Sequence, residues 1–139
     1  MSTAEKTLIL LKPDAVRRGL IGEILSRYEG KGLTVVAMKM VQGATELADA
    51  HYAEHVEKDF YPPLREFITS GPLVAAVLAG ESVVEVVRSM NGATNAIEAA
   101  PGTIRGDLAA SKRENLVHGS DSAASAEREI GIWFPELNT

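Results

Sequence analysis

Apolar positions fall in short runs whose period changes along the chain. Thr7 to Lys12 (TLILLK) is an aliphatic run stopped by Pro13, the mark of a strand covered on both faces. Asp14 follows as a helix cap. Leu20 to Lys31 carries Leu20, Ile24 and Tyr28 at helical spacing and stops at Gly30-Lys31-Gly32. Thr34 to Val41 is β-branched and partly alternating, which predicts a second strand. A helix is predicted from Thr45 to Val56, with Thr45 as its cap and Ala48, Tyr52 and Val56 along one face. A short helix follows Pro62-Pro63 and ends at Ser70-Gly71-Pro72. Leu73 to Ala79 is a third buried strand, and Ser82 is placed to cap a helix that turns Val83, Val86, Val87 and Met90 inward. Asn91 to Asp107 reads as loop. Leu116-Val117-His118 is a short fourth strand, and Ser122 to Trp133 a last helix with Ala123, Ala126 and Ile130 inward.

This order, β-α-β, a helical insertion, then β-α-loop-β-α, predicts an α+β fold of the ferredoxin-like, split βαβ kind. One four-stranded antiparallel sheet is covered by helices, and the helical insertion lies between strands 2 and 3. No repeat or linker divides the chain, so residues 1–139 are expected to form one domain. Such a fold assigns no chemistry by itself.

Charge and composition exclude some classes. A net charge of -5 argues against a nucleic-acid partner, since phosphate-backbone binders show a basic face. The absence of cysteine removes disulfides, zinc-thiolate centres and thiol catalysis. The opening MSTAEKTLILLKPDAV holds no apolar run long enough for a signal peptide or membrane span, so no membrane partner is expected and the cytoplasm is the expected location.

The familiar phosphate cradles are missing: there is no Walker loop, no dinucleotide fingerprint and no protein-kinase glycine loop. His51 and His55 sit four apart in HYAEH, but Tyr52 stands where a metalloprotease motif needs Glu, and the two read as partly exposed helix histidines. Arg88 and Arg105 flank a glycine-rich loop with Thr94 between them. Guanidinium forks bind phosphate oxygens bidentately, although a lone surface arginine usually makes only a weak salt bridge. Lys12 closes the first strand, where functional side chains emerge, although a capping lysine that snorkels to water is the commoner outcome. Tyr52 and Phe60 are core residues by default, yet Phe60 precedes Tyr61-Pro62-Pro63 in a turn, where a ring is free to stack on a flat ligand.

The densest cluster of polar chemistry is Asn115-Leu-Val-His118-Gly-Ser120-Asp121. Neutral imidazole is a competent nucleophile toward phosphorus, and an unperturbed pKa of ~6.5 leaves most of it neutral near pH 7. It must be oriented, and Ser120 and Glu129, the latter on the following helix, are within reach to do so.

NLVHGSD resembles the Asn-x-x-His-Gly-Ser-Asp signature of the nucleoside diphosphate kinases, and the resemblance runs from TLILLKPDAVRRGLIGEI to SAEREIGIWF. It implies an enzyme that moves the γ-phosphoryl of a nucleoside triphosphate, typically ATP, onto a diphosphate such as GDP. The transfer would be ping-pong, through a phosphohistidine at His118, with broad base and sugar specificity. Lys12 would contact the ribose hydroxyl and phosphate, and Tyr52 would lie by the reacting phosphate. Phe60 would stack on the base, with Leu64 lining that slot. Arg88, Thr94 and Arg105 would hold the phosphates, with Mg²⁺ bound by the phosphates rather than by a protein ligand set. Asn115 would bond the ribose, and Ser120 and Glu129 would hold the His118 ring; which ring nitrogen attacks is open. Lys112 departs from the aliphatic residue the family often sets against the base, and Ala96 from a common proline. The resemblance further implies a homo-oligomer, a hexamer rather than a tetramer. Two rival readings fit poorly. A phosphohistidine carrier leaves Lys12, Phe60 and Asn115 unexplained, and an RNA-binding module wants aromatics on the central strands, which carry none.

Overall fold

The computed structural model describes residues 5–42 and 45–138; the first four residues of the expected leaderless opening, and both ends of the expected 1–139 domain, lie outside them. Four strands, β1 (Glu5–Leu11), β2 (Thr34–Gln42), β3 (Pro72–Gly80) and β4 (Val117–Gly119), form one sheet in the order β2-β3-β1-β4. Every neighbouring pair is antiparallel, so the sheet is the ferredoxin-like one the element order predicts.

β1 is central, and its unbroken aliphatic run follows from having both faces covered. Ile9 and Leu11 join Ala76 and Leu78 of β3 under α2 (Ile21–Gly30) and α5 (Val83–Asn91), against Ile24, Tyr28, Val83 and Val87. Leu8 and Leu10 join Ala75 and Val77 on the other face, beneath α3 (Thr45–His51), α4 (Tyr61–Ile68) and α7 (Ala123–Trp133). β2 lies at an edge and alternates exposed with half-buried residues. Its apolar Val36, Met38 and Met40 are 44%, 53% and 58% exposed. No helix among the described residues is long and apolar enough to cross a membrane.

Several element ends differ from expectation, some for tertiary reasons and some for local ones. Asp14 does not cap α1 (Pro13–Arg17): Lys12 holds that position, and the buried Asp14 carboxylate accepts the Leu116 N–H at 3.1 Å instead. The helix expected through Val56 ends at His51 and gives way to a 3-10 turn, Ala53–His55, which leaves Val56 exposed. The reason lies in α7, whose Arg128 donates to the carbonyls of Ala50 and His51, so those groups need no further helical turn. Thr45 opens α3, and the two residues before it lie outside the described ones. α4 begins at Tyr61 and takes both prolines into its first turn, where their missing N–H groups cost nothing.

Ser82 adopts a left-handed backbone (φ 52°) and its side chain caps nothing; the Glu5 carboxylate of β1 takes the Val84 N–H at 3.0 Å. The stretch read as loop contains a 3-10 turn, Ala96–Glu98, and α6 (Ile104–Leu108), capped by the side chains of Asn95 and Thr103. β4 starts at Val117 because Leu116 turns left-handed at φ 73°. Ser122 caps α7 through the Ser125 N–H, but Ala123 is exposed, and Ala126, Glu129 and Trp133 form the buried face. A glutamate on that face is invisible to any apolar pattern.

Candidate active site

Register places the site. Leu10 pairs with His118, so the histidine stands beside the middle strand of the sheet, and Lys12 lies just beyond the same end of β1. Gly119 allows this strand to sit close: a Cβ there would meet Val87 Cγ1 at 2.9 Å and Asn91 Nδ2 at 3.0 Å on α5. The left-handed Leu116 is pinned on both sides, its N–H by Asp14 and its carbonyl by the Lys12 N–H at 2.8 Å. Such a backbone costs about 1–3 kcal/mol and persists where surroundings hold it, commonly at functional sites.

His118 is held through one nitrogen. Its Nε2 lies 2.8 Å from Glu129 Oε1, and the same carboxylate oxygen accepts the Ser120 hydroxyl at 2.8 Å. Ser120 is wholly buried, and its Oγ also receives the Leu8 N–H at 3.3 Å, which ties the group to β1. Burial alone would raise the Glu129 carboxyl's pKa; the His118 ring, Ser120 and Arg128 overcome it and hold the group below the usual carboxylate range. Glu129 is therefore ionised at neutral pH and accepts the proton on Nε2. The other ring nitrogen, Nδ1, is left as the free lone pair.

Basic groups converge on the same space. Arg105, 7% exposed, spends three N–H groups on backbone carbonyls: Nε on Asn115 at 3.2 Å, Nη1 on Gly92 at 2.8 Å and Nη2 on Val117 at 2.6 Å. A guanidinium has five N–H groups, so one remains on each Nη. Lys12 Nζ donates to Asn115 Oδ1 at 2.8 Å, and Asn115 Nδ2 donates to the Thr94 carbonyl at 2.8 Å. Burial, and then the charge of Arg105, lower the Lys12 pKa to about 8. Burial likewise lowers that of Arg105. Arg88, at the C-terminal end of α5, is exposed and paired with Asp121 at 2.6 Å. Two buried cations with unspent donors make a site for an anion.

These groups line a cavity of about 670 Å³, in the range of small-molecule sites. Lys12, Tyr52, Arg88, Thr94, Arg105, Asn115, His118 and Glu129 face it, and so do Phe60, Leu64 and Lys112. Ser120 does not; it stands behind the ring. Phe60 is not a core residue: it is half exposed, with the His55 ring 5.4 Å away and Lys58 Nζ 5.8 Å from its centroid. Tyr52 is half-buried against the His51 ring, and burial raises its hydroxyl's pKa, which keeps the proton on.

His51 corrects the expectation most. Read as a partly exposed helix residue, it is 4% exposed, accepts the Trp133 Nε1–H on Nδ1 at 3.0 Å, and meets the His118 ring edge-to-face at 4.5 Å. The cavity also reaches Asp121, to which sequence reasoning gave no role, and Arg113 and Arg128, which it did not single out. Asp121 closes the polar cluster read from the sequence, but its pairing with Arg88 across 33 residues, and the reach of Arg128 to Ala50 across 78, carry no local signal.

A histidine held through Nε2 on a ferredoxin-like sheet, sharing a cavity with buried cations, has the chemistry that phosphoryl transfer requires. The family model "Nucleoside diphosphate kinase" matches residues 5–139. The nucleoside diphosphate kinase of Nocardioides sp. (strain ATCC BAA-499 / JS614) is 70% identical over 132 residues, 95% of this chain and 98% of that protein. That of Mycobacterium leprae (strain TN) is 60% identical over 134 residues, 96% of this chain and 98% of its own. Among solved structures, a halophilic nucleoside diphosphate kinase from Halobacterium salinarum in complex with CDP superimposes with a TM-score of 0.92 at 49% identity, covering 94% of this chain and 88% of that one. The chain belongs to the nucleoside diphosphate kinase family.

Proposed function

We propose that this chain moves the γ-phosphoryl of a nucleoside triphosphate, typically ATP, to a nucleoside diphosphate through a phosphohistidine at His118. The observation that carries the reading is the commitment of Nε2 to Glu129, which leaves the Nδ1 lone pair to attack. In the first half-reaction Nδ1 bonds to phosphorus, the bond from phosphorus to the bridging oxygen breaks, and that oxygen keeps the electron pair as the diphosphate leaves. The second half-reaction reverses this with a new diphosphate. The ring gains positive character while phosphorylated, and the ionised Glu129 at Nε2 stabilises it.

The remaining roles follow from unspent donors. Arg105 offers two N–H groups and Lys12 two more to phosphate oxygens, while Arg88 exchanges Asp121 for phosphate, with Thr94 beside them. Asn115 bonds the ribose, and the protonated Tyr52 hydroxyl donates beside the reacting phosphate. Phe60 stacks on the base against Leu64 and the Lys112 stem, a contact every base tolerates. Of the three described carboxylates that line the cavity, Glu129 is engaged by His118 and Ser120 and Asp121 by Arg88, and Glu54 alone is no ligand set, which fits a Mg²⁺ carried mainly by the phosphates. When bound, that ion neutralises phosphate charge.

We further propose that the chain works as a single domain, in the cytoplasm. The exposed apolar edge of β2 supports assembly into a homo-oligomer, which we take as a hexamer on the family resemblance.

Intact-mass measurement after Mg²⁺-ATP, then after GDP, tests the proposal. One added phosphoryl that disappears as GTP forms is expected. A protein that transfers phosphate yet never carries it would overturn the covalent route.

A further inference from the structure

One hydrogen bond to Nε2 fixes one atom of the His118 ring. A ring held at one atom can still pivot, and a pivot moves Nδ1 away from the line of attack. His51 supplies the second constraint. Its ring stands 4.5 Å from that of His118 at 79°, and the Tyr52 ring packs on it as well, at 4.6 Å and 83°. His51 is itself immobilised, because Trp133 donates to its Nδ1 and Arg128 to its carbonyl.

The same hydrogen bond settles the chemistry of His51. His51, His118 and Glu129 bring ligand atoms within 4.8 Å of one another, a spacing a metal ion could use. Nδ1, however, is an acceptor for the Trp133 N–H, so Nε2 carries the ring proton and neither nitrogen has a free lone pair. Burial, then the neighbouring His118, keep its pKa well below the ordinary value, so the ring stays uncharged. What remains for it to contribute is a rigid neutral wall.

We propose that His51 is a positioning residue that fixes the plane of the His118 ring and thereby directs phosphorylation to Nδ1. This rests on His118 being the phosphoryl carrier. Two substitutions separate the wall from the hydrogen bond. H51N keeps an acceptor for Trp133 and removes the ring; H51F keeps a ring and removes the acceptor. Phosphorus NMR of the phosphoenzyme distinguishes Nδ1- from Nε2-phosphohistidine. The unsubstituted protein is expected to carry phosphate on Nδ1 alone. H51N is expected to keep its KM, lose about 10²-fold in kcat as a misplaced reactant does, and show both isomers. H51F is expected to melt earlier yet keep Nδ1 and most of its kcat. If H51N transfers at the parent rate with phosphate on Nδ1 only, His51 is a core residue and the inference fails. Should H51N not fold, H51F decides: a mixture of isomers there overturns the wall. Absence of any phosphohistidine in the unsubstituted protein would instead fault the carrier reading.

Discussion

Lys12 holds a charge where the surroundings oppose one. Its folded pKa, about 8, lies below the ordinary 10.5, so the protonated form destabilises the fold below pH 8 and that cost is released between about pH 8 and 10.5. K12M is therefore expected to raise the melting temperature at pH 7 by a few degrees, on the order of 1 kcal/mol after Asn115 loses its partner, and to gain nothing above pH 10.5. Phosphoenzyme formation in the same variant is expected to fall about 10²-fold, since a phosphate-facing charge is gone. Calorimetry and rapid-quench labelling check the two halves; an unstable K12M would show that the lysine is there for the fold. The reach of sequence reading at this scale was uneven. Lys12, Arg105 and His118 were visible because strand ends, glycine-rich loops and polar clusters are local signals. His51 was not, because its burial is created by Trp133, 82 residues away.

Some elements begin or end where a distant element satisfies their backbone. Periodicity located all four strands and most helices, but α3 stops because of Arg128 on α7, and α5 is capped by Glu5 on β1. Neither partner is near in sequence. The contact of β4 with α5 shows how narrow the tolerance is. In G119A the new methyl would press on Val87 and Asn91, and whatever yields shifts the strand that bears His118. We expect G119A to lower stability by about 1–3 kcal/mol, in keeping with overpacking, and to slow transfer. Adding V87A, which withdraws the nearer atom, is expected to recover part of both in denaturant titrations and rate assays. Additive losses would show that the space between β4 and α5 is not the cause.

At the scale of the molecule, element order alone led to the correct sheet, because a split βαβ pattern leaves few ways to bury these strands. What one chain's sequence hides is its outer contact: Val36, Met38 and Met40 are spaced as an ordinary strand, and only the structure shows them facing outward at a sheet edge. Replacing Met40 with glutamate is expected to shift the assembly toward smaller species in sedimentation velocity. An unchanged sedimentation coefficient would move the subunit contact elsewhere.

The three carbonyls that grip Arg105 bear on speed as well as on binding. A guanidinium already set in place needs no rearrangement when one nucleotide leaves and another arrives. With that part of the site set beforehand and only the exposed Arg88 left to change partner, the slow event at low substrate is expected to be the meeting of protein and nucleotide in solution. Turnover at low substrate should then fall in proportion as sucrose thickens the medium, whereas a site that reshapes itself between nucleotides would be almost indifferent to it.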